Sequence, residues 1–491
     1  MKLKKIICLT AAFALSLILS VSVYADDSCA TVSANNAETS YASFEEAWNK
    51  AVELGKTNEV TFTLNKNWVA DESGVLGNGS GFKSGALTYS GQKNLTLDLN
   101  GYAIDRNLFK PKSGGAVIYV NSLMTIVDSR SNEYTVSKLF KGGVIQNGAN
   151  SNRGGGIVIA DNATLNFNGG TILNCVSTDD GGGISAFGAN ANLVVNGGSF
   201  YGNRTYDSAG ECCGGAIYSN KANLKINNSK FEGNYAEDNG GAIYANNGNI
   251  TLTDSSFYSN SSIEEGGAIF ADGDVKTNIT DCLFSGNIST DDDGGAVYCD
   301  SNSGTYLYNC QMYYNHSASE GGAVHINADK VFIIGGTYQY NTADKYGGGI
   351  YVDSMYDINA AGKLIIQSNT VKGSASDLCL QDATASTAYL FCGGFYEGSS
   401  IWLCSNKTGS QLAIKGIDKY QYNNYIHFDK GFALDKVNSS TVSSDNIRAE
   451  ASVLGEGNVL WICLSAIIVA VLAVCTTLII KKKRKGAKTD D

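Results

Sequence analysis

The sequence predicts an all-β protein wound into a parallel β-helix, and three observations support this. Glycine accounts for 57 of the 491 residues, whereas Pro111 is the only proline. A glycine-containing motif returns about every 27 residues. Each period holds three short runs in which apolar and polar residues alternate, as they do along half-buried β-strands. A period of this length with three strands matches one coil of a parallel β-helix, in which each coil pairs with its neighbours.

The composition excludes several other classes. Hydrophobic residues make up 43% and charged residues only 17%, which argues against a mostly disordered chain. Glycine does not recur at every third position, which excludes collagen. With only three histidines, we do not expect a histidine-built metal site. Leucine-rich repeats would show a leucine ladder, and propeller blades need roughly 40 or more residues, so both repeat types fit less well.

Two motifs define the coil. The first is Gly-Gly-(Ala/Gly)-(Ile/Val), with its apolar residue at Ile157, Ile184, Ile217, Ile243, Ile269, Val297, Val324 and Ile350. The second has an apolar or aromatic residue at Ile145, Ile172, Phe200, Phe231, Phe257, Phe284, Met312, Tyr338 and Ile366. In most copies an asparagine follows three positions later, at Asn203, Asn234, Asn260, Asn287, Asn315, Asn341 and Asn369. We expect these amides to form a structural ladder from coil to coil.

The flanking segments predict a capped solenoid. The segment Ser43 to Leu54 is typical of an amphipathic helix with Ser43 as its N-cap, and it would cover the open end of the first coil. We expect the cap and irregular early coils over 26–141, regular coils over 142–369, and final coils with a C-terminal cap over 370–436. The polar segment 437–458 is typical of a flexible stalk.

Both ends of the sequence carry targeting signals. Residues 1–25 have the basic start, apolar stretch and small-residue end of a secretory signal peptide. Residues 459–480 contain no charge and are long enough to span roughly 33 Å as a transmembrane helix. The basic segment 481–491 predicts a cytoplasmic tail. We therefore expect a single-pass protein of the cell membrane with its body outside the cell.

The net charge of the predicted extracellular part indicates which kinds of ligand it favours. Residues 26–458 hold 27 basic and 45 acidic residues, a net charge of about −18. Such a surface disfavours nucleic acid. It suits cations, basic surfaces or neutral glycans.

The repeats resemble those of the polymorphic outer-membrane proteins. Gly240-Gly-Ala-Ile243 with Phe257-Tyr-Ser-Asn260 carries both halves of that repeat, and the likeness covers about 142–369. The resemblance implies a right-handed parallel β-helix, with three short strands per coil, displayed on a bacterial surface as an adhesin. That family ends in an outer-membrane β-barrel, whereas this chain ends in one apolar segment and a basic tail. We therefore expect an N-terminal capping helix and a C-terminal transmembrane helix in a single-membrane envelope.

The first candidate site is an outward-facing aromatic column. It comprises Tyr218, Tyr244, Phe270, Tyr298, His325 and Tyr351, each directly after an inward aliphatic residue. With coils about 4.8 Å apart, these rings would form an exposed stripe that binds sugar faces or a protein partner. The alternative is that the rings only stack on one another and stabilise the sheet.

The second candidate is an acidic corner before each Gly-Gly pair. Its members are Asp179, Asp180, Glu211, Glu237, Asp238, Glu264, Glu265, Asp291, Asp292, Asp293 and Glu320. Glu264, Glu265, Asp291, Asp292 and Asp293 are the candidate metal ligands, with Ca²⁺ as the cation; otherwise we expect no cofactor. Paired acids would also suit glycosidic cleavage, but the uniformity of the corner favours a solvated surface that limits aggregation.

Two further features involve cysteines. The corner between Asn203 and Gly214 is enlarged and contains Cys212 and Cys213. Cys282 and Cys310 occupy equivalent positions in adjacent coils, so a disulfide fits the coil spacing, although parallel side-chain directions disfavour it. Free buried thiols are the alternative.

The sequence alone therefore favours an adhesin, or another binder of glycans or host or neighbour-cell proteins, over an enzyme. A polysaccharide lyase or hydrolase on a β-helix scaffold stays open, as does a passive envelope protein.

Overall fold

The structure is a computed structural model that describes residues 28–131, 141–206, 212–301, 303–353, 358–380, 388–405, 412–417 and 419–428. The predicted signal peptide, stalk, membrane helix and tail lie outside these residues. The helices of the described ranges, Phe44–Leu54 and Lys419–Tyr425, are too short to cross a membrane.

The predicted all-β solenoid is confirmed. Successive coils pair in parallel, and equivalent residues of neighbouring coils lie opposite one another in register, as in Ile217↔Ile243↔Ile269. Three strands of each coil build one continuous sheet around the solenoid. A fourth strand of two residues, absent from our prediction, forms a separate ladder.

Each coil passes in turn through a first face, a second face, a third face and the short ladder. The first face follows the Gly-Gly motif and comprises Ala86–Tyr89, Ile118–Val120, Ile157–Ile159, Ile184–Phe187, Ile217–Asn220, Ile243–Asn246, Ile269–Gly273, Val297–Ser301, Val324–Ala328, Ile350–Val352 and Leu378–Leu380. The second face comprises Val60–Leu64, Leu95–Asp98, Leu123–Val127, Thr164–Phe167, Ile250–Thr253, Thr277–Thr280, Thr305–Tyr308, Ala388–Phe395 and Leu412–Lys415.

The third face comprises Trp68–Val69, Ala103–Asp105, Val144–Gln146, Thr171–Leu173, Ser256–Tyr258, Leu283–Ser285 and Gln311–Tyr313. Four long strands run through both the second and third faces: Asn192–Tyr201, Asn223–Glu232, Val331–Gln339 and Ile358–Gln367. The short ladder comprises Ala149–Asn150, Val176–Ser177, Arg204–Thr205, Tyr235–Ala236, Ser261–Ser262, Ile288–Ser289, His316–Ser317, Thr342–Ala343, Thr370–Val371 and Ser374–Ala375. The last coil closes with Ser400–Ser405, the helix Lys419–Tyr425 and Ile426–Phe428.

The interior follows the predicted alternation. Ile243, Ile250, Leu252 and Phe257 are all fully buried, whereas their sequence neighbours on the second and third faces are half-exposed. The parallel register stacks equivalent side chains, and the Phe257 ring lies 4.7 Å from that of Phe231 and 4.6 Å from that of Phe284, nearly parallel to both. Each such side chain contributes roughly 2–3 kcal/mol of hydrophobic burial.

The predicted asparagine ladder is present at the turn after the third face. The seven ladder residues are fully buried, and from Asn203 to Asn341 each side-chain amide Nδ2 donates to the Oδ1 of the asparagine one coil later at 2.9–3.0 Å. The same Oδ1 also accepts the backbone N–H of the previous asparagine. At the last rung, Asn369 Nδ2 donates to Asp377 Oδ1 at 2.6 Å.

The two glycines of the Gly-Gly motif serve different purposes. Gly266 has φ +66°, a left-handed conformation that disfavours side chains. Gly267 is needed for close packing, because a Cβ there would lie 2.2 Å from the backbone oxygen of Gly295 in the next coil.

The N-terminal end is closed by the predicted helix and by an antiparallel hairpin. The helix Phe44–Leu54 begins after Ser43, whose hydroxyl accepts the N–H of Glu46. The hairpin strands Ala30–Ala34 and Ala37–Tyr41 cover the edge of the first coil, since Ala30–Ala34 pairs antiparallel with the second-face strand Val60–Leu64. Trp48 is fully buried against Phe62, and its Nε1 donates to Gly81 O at 2.7 Å.

Candidate functional site

The predicted aromatic column exists on the outer side of the first face, but its expected exposure is wrong. Tyr244 is 8% exposed and Tyr351 only 1% exposed, and Tyr298 is half-buried. The rings cover one another, with neighbouring centroids 4.8–5.5 Å apart along the whole column. Contacts between rings on neighbouring parallel strands therefore bury most of the surface that we expected to be free for a ligand.

A row of polar side chains lies beside the ring edges, two residues after each aromatic position. The Tyr244 hydroxyl donates to Asp272 Oδ2 at 2.8 Å and accepts from Asn246 Nδ2 at 3.2 Å. Farther along the row, Asn327 Nδ2 donates to Asp300 Oδ1 at 2.9 Å. Burial, assisted by Asp272, raises the pKa of Tyr244 above its usual range.

The acidic corner lies on the opposite side of the same column. Burial raises the pKa of Glu265 to about 7, and neighbouring carboxylates such as Asp292 add to the effect. Burial and the contact with Glu264 raise the pKa of Asp238 to about 7. The structure thus brings together the two columns that the sequence analysis treated separately.

The clearest local arrangement surrounds His325. We call Asp293, Glu320, His325 and Asp353 the His325 centre. His325 Nδ1 lies 3.1 Å from Asp293 Oδ2, and His325 Nε2 lies 3.6 Å from Asp353 Oδ2. Glu320 completes the group, because one ligand atom each from Asp293, Glu320 and His325 lies within 4.8 Å of the other two.

The aromatic column encloses this histidine. The rings of Tyr298 and Tyr351 contact the imidazole edge-to-face, with centroids at 4.8 Å and 5.0 Å, and His325 is only 4% exposed. Burial alone would lower the pKa of His325, but the carboxylates of Asp293 and Asp353 outweigh it and raise the pKa to about 9.

The predicted metal ligands are only partly brought together. Asp293 belongs to the group around His325, whereas Glu264 and Asp291 are exposed and, with Glu265 and Asp292, fall outside that group among the described residues. Sequence reasoning missed Asp353, although a signal was available: it lies two residues after an aromatic-column position, in the same row as Asp272 and Asp300.

The structure shows thiols where the sequence left a disulfide open. Cys282 and Cys310 are both free thiols, so a disulfide between them is not formed. The two sulfurs instead donate to backbone oxygens, Cys282 Sγ to Thr280 O and Cys310 Sγ to Ile279 O. Burial raises the pKa of Cys282 to about 12, which keeps it a protonated thiol.

The structure describes the enlarged corner between Asn203 and Gly214 only in part. Residues 207–211, which include Glu211 of the acidic corner, lie outside the described ranges. Cys213 is buried against Tyr218 at the start of the aromatic column, with its Sγ 3.4 Å from Asp238 Oδ2.

A second aromatic feature, which the sequence analysis did not single out, lies on the outside of the turn before the asparagine ladder. Tyr314 and Tyr340 are 64% and 48% exposed, and their rings stack with centroids 5.4 Å apart. Both have positive φ angles, +56° and +59°, at a position where other coils have glycine, serine or asparagine. A bulky residue rarely adopts this conformation, so the turn itself does not require tyrosine at either position.

Comparison with known families gives one result that bears on identity. The family model described as the Chlamydia polymorphic membrane protein (Chlamydia_PMP) repeat matches residues 228–246, 254–272 and 281–300. The chain is a β-helix protein in which three segments are similar to this repeat. Each matched repeat spans the third-face strand, the ladder asparagine, the Gly-Gly motif and an aromatic-column residue, and the resemblance noted from the sequence is confirmed. No match was found among curated proteins or among solved structures.

Proposed function

We propose that this protein is an adhesin displayed at the cell surface, anchored by the apolar segment 459–480, which binds glycan or protein ligands along its solenoid. The observation that carries the proposal is the presence of polymorphic membrane protein repeats, in phase, on a continuous stack of coils. A solenoid of this kind offers a long lateral surface on which residues of successive coils recur at fixed spacing.

The Tyr314–Tyr340 pair is the best-supported contact for a glycan on this surface. Tyr314 and Tyr340 are 64% and 48% exposed, whereas the residues of the aromatic column are largely buried against one another. Stacked phenol rings on adjacent coils suit the apolar face of a sugar ring, and their hydroxyls supply hydrogen bonds to sugar hydroxyls.

The experiment is a binding screen of the purified full chain against a glycan array and a panel of host and neighbour-cell surface proteins. The informative variant is the double substitution Tyr314→Ser and Tyr340→Ser, because Ser259 and Ser368 occupy the equivalent positions with φ +49° and +64°. The fold should therefore tolerate serine. Tyr396→Ser is the matched control, since Tyr396 is 69% exposed and lies away from the pair.

We expect glycan capture to fall at least tenfold in the double variant and to be unchanged in the control. Capture that survives the double substitution would remove the tyrosine pair from the binding site. Capture of a protein but no glycan would support an adhesin of a different specificity, and no capture at all would favour a passive envelope protein.

A polysaccharide-cleaving activity is the second candidate, favoured by one observation. A carboxyl group with a pKa of about 7, as at Glu265, can act as a general acid near neutral pH. Release of reducing ends in the same wells would support this activity if it disappears in Glu265→Gln. An intact polysaccharide panel would count against it.

A further inference from the structure

The His325 centre combines three chemically different observations that its role in the aromatic column does not explain. The first is convergence. Asp293 precedes one Gly-Gly motif, Glu320 precedes the next, and His325 lies on the first-face strand that follows Glu320. Because the coils stack in register, residues from two coils bring their ligand atoms within 4.8 Å of one another. The three groups are therefore close enough to be candidate ligands of one small cation after small side-chain adjustments.

The second observation concerns the hydrogen bonding of the imidazole. His325 is 96% buried, yet neither ring nitrogen makes a hydrogen bond of acceptable geometry among the described residues. Nδ1 is only 3.1 Å from Asp293 Oδ2, so the two atoms are close but not aligned as donor and acceptor. Buried polar atoms are normally satisfied. Charge attraction holds the imidazole beside Asp293, and Nδ1 has no aligned hydrogen-bond partner on that side.

The third observation is on the other side of the ring. Asp353 Oδ2 faces Nε2 at 3.6 Å. Metal-binding histidines usually direct the nitrogen that does not bind the metal at a carboxylate or a carbonyl, which fixes the tautomer and the ring orientation. Asp353 is placed to do this, and it would leave Nδ1 as the ligand atom on the side of Asp293 and Glu320.

We propose that Asp293, Glu320 and His325 form a binding site for a Zn²⁺ ion, with Asp353 as the residue that orients the imidazole. An imidazole nitrogen with two carboxylates is a ligand set for zinc or a related transition metal. Calcium would instead demand six to eight oxygen ligands, which this group does not provide. The zinc site is therefore distinct from the Ca²⁺ site that the sequence analysis expected at the acidic corner.

The surroundings fit such a site. Asp293 and Glu320 are half-buried whereas His325 is buried, so the two carboxylates are the part of the site that solvent reaches. Tyr298 and Tyr351 contact the imidazole edge-to-face from either side along the column and restrict its rotation. Three protein ligands leave one position of a tetrahedral ion for water or for an oxygen of a bound molecule.

The test uses the purified full chain after treatment with a chelator and dialysis. Zn²⁺ is titrated by calorimetry, the bound metal is counted by elemental analysis, and Co²⁺ is used as a spectroscopic probe of the coordination. The variants are His325→Gln and Glu320→Gln for the ligands and Asp353→Asn for the orienting residue. Glu265→Gln is the matched control, because Glu265 occupies the same column as Asp293 and Glu320 but is not in the ligand group.

We expect one Zn²⁺ per chain with wild-type protein, a loss of affinity of at least a hundredfold in either ligand variant, and a smaller loss, about tenfold, in Asp353→Asn. Glu265→Gln should bind like wild type. The far-UV circular dichroism of each metal-free variant establishes that it is folded.

Three outcomes would overturn the proposal. The first is the absence of stoichiometric Zn²⁺ binding. The second is Zn²⁺ binding that persists in His325→Gln, which would place the ion on thiols or on exposed acids instead. The third is a preference for Ca²⁺ that Glu265→Gln weakens as much as Glu320→Gln, which would indicate a diffuse acidic surface.

Discussion

Substitution of one rung of the asparagine ladder should destabilise the solenoid far more than substitution of an exposed asparagine on the same coils. Asn260 makes four side-chain hydrogen bonds. Its Nδ2 donates to Asn287 Oδ1 at 3.0 Å and to Phe231 O at 3.2 Å. Its Oδ1 accepts from Asn234 N at 3.1 Å and from Asn234 Nδ2 at 2.9 Å. All of these groups are buried.

The magnitude follows from what alanine would leave behind. In Asn260→Ala, the backbone N–H of Asn234 loses its acceptor in a site from which water is excluded, which costs about 1–3 kcal/mol. The other bonds contribute roughly 1 kcal/mol each. We expect a total loss of roughly 4–6 kcal/mol in the free energy of unfolding. The control is Asn227→Ala, because Asn227 is exposed and bonds only to Thr253 Oγ1 in the described contacts; its cost should stay below about 0.5 kcal/mol.

Urea unfolding of the full chain, followed by far-UV circular dichroism, measures both variants. Hydrogen exchange with mass spectrometry then locates the effect, which should be concentrated in peptides around 228–272, since a solenoid transmits loss of structure mainly to neighbouring coils. Equal destabilisation by the two substitutions, or a loss below about 1 kcal/mol in Asn260→Ala, would refute the argument that the ladder stabilises the fold.

Three further outcomes are expected. Gly267→Ala should lower the thermal midpoint much more than Gly233→Ala, because a Cβ at Gly267 meets backbone at 2.2 Å whereas one at Gly233 meets nothing within 4 Å; equal midpoints would contradict the close packing. Burial raises the pKa of Asp180 to about 6 from its ordinary value of 3.8, so the stability of the wild type relative to Asp180→Asn should be highest below pH 4 and fall as the pH rises through 6. The change should be on the order of 1–3 kcal/mol, and a difference independent of pH would contradict it. Trp48→Ala should cost about 3–5 kcal/mol and increase hydrogen exchange at Val60–Leu64 without affecting distant coils; uniform exchange along the chain would argue against a local cap.

The coil was predictable because its determinants repeat. The Gly-Gly motif, the inward aliphatic residue and the ladder asparagine return in phase, so every copy supports the same placement of strands and turns. The capping helix was also predictable, since Ser43 and the apolar spacing after it specify a start and a buried side locally. The two-residue ladder strands escaped prediction, because a strand such as Ser261–Ser262 is too short to show alternation.

The candidate site was less predictable. Alternation indicates that Tyr244 points away from the interior, but it does not indicate how much of the ring its neighbours cover. The contact of His325 with Asp353 joins side chains from two coils, and it depends on register that no local pattern reports. The low number of histidines argued against a histidine-built metal site, whereas the structure places one buried histidine among three carboxylates.

The asparagine ladder also gives the solenoid an electrical direction. Every rung from Asn203 to Asn341 donates toward the C-terminal end, so the amide dipoles add along the axis and leave their positive end at Asn369. Asp377 accepts from Asn369 at that point, in the way that an anion stabilises the N-terminus of an α-helix. The polarity of the ladder therefore distinguishes the two ends of the stack, and an added coil would keep the ladder intact only if it lay before this carboxylate.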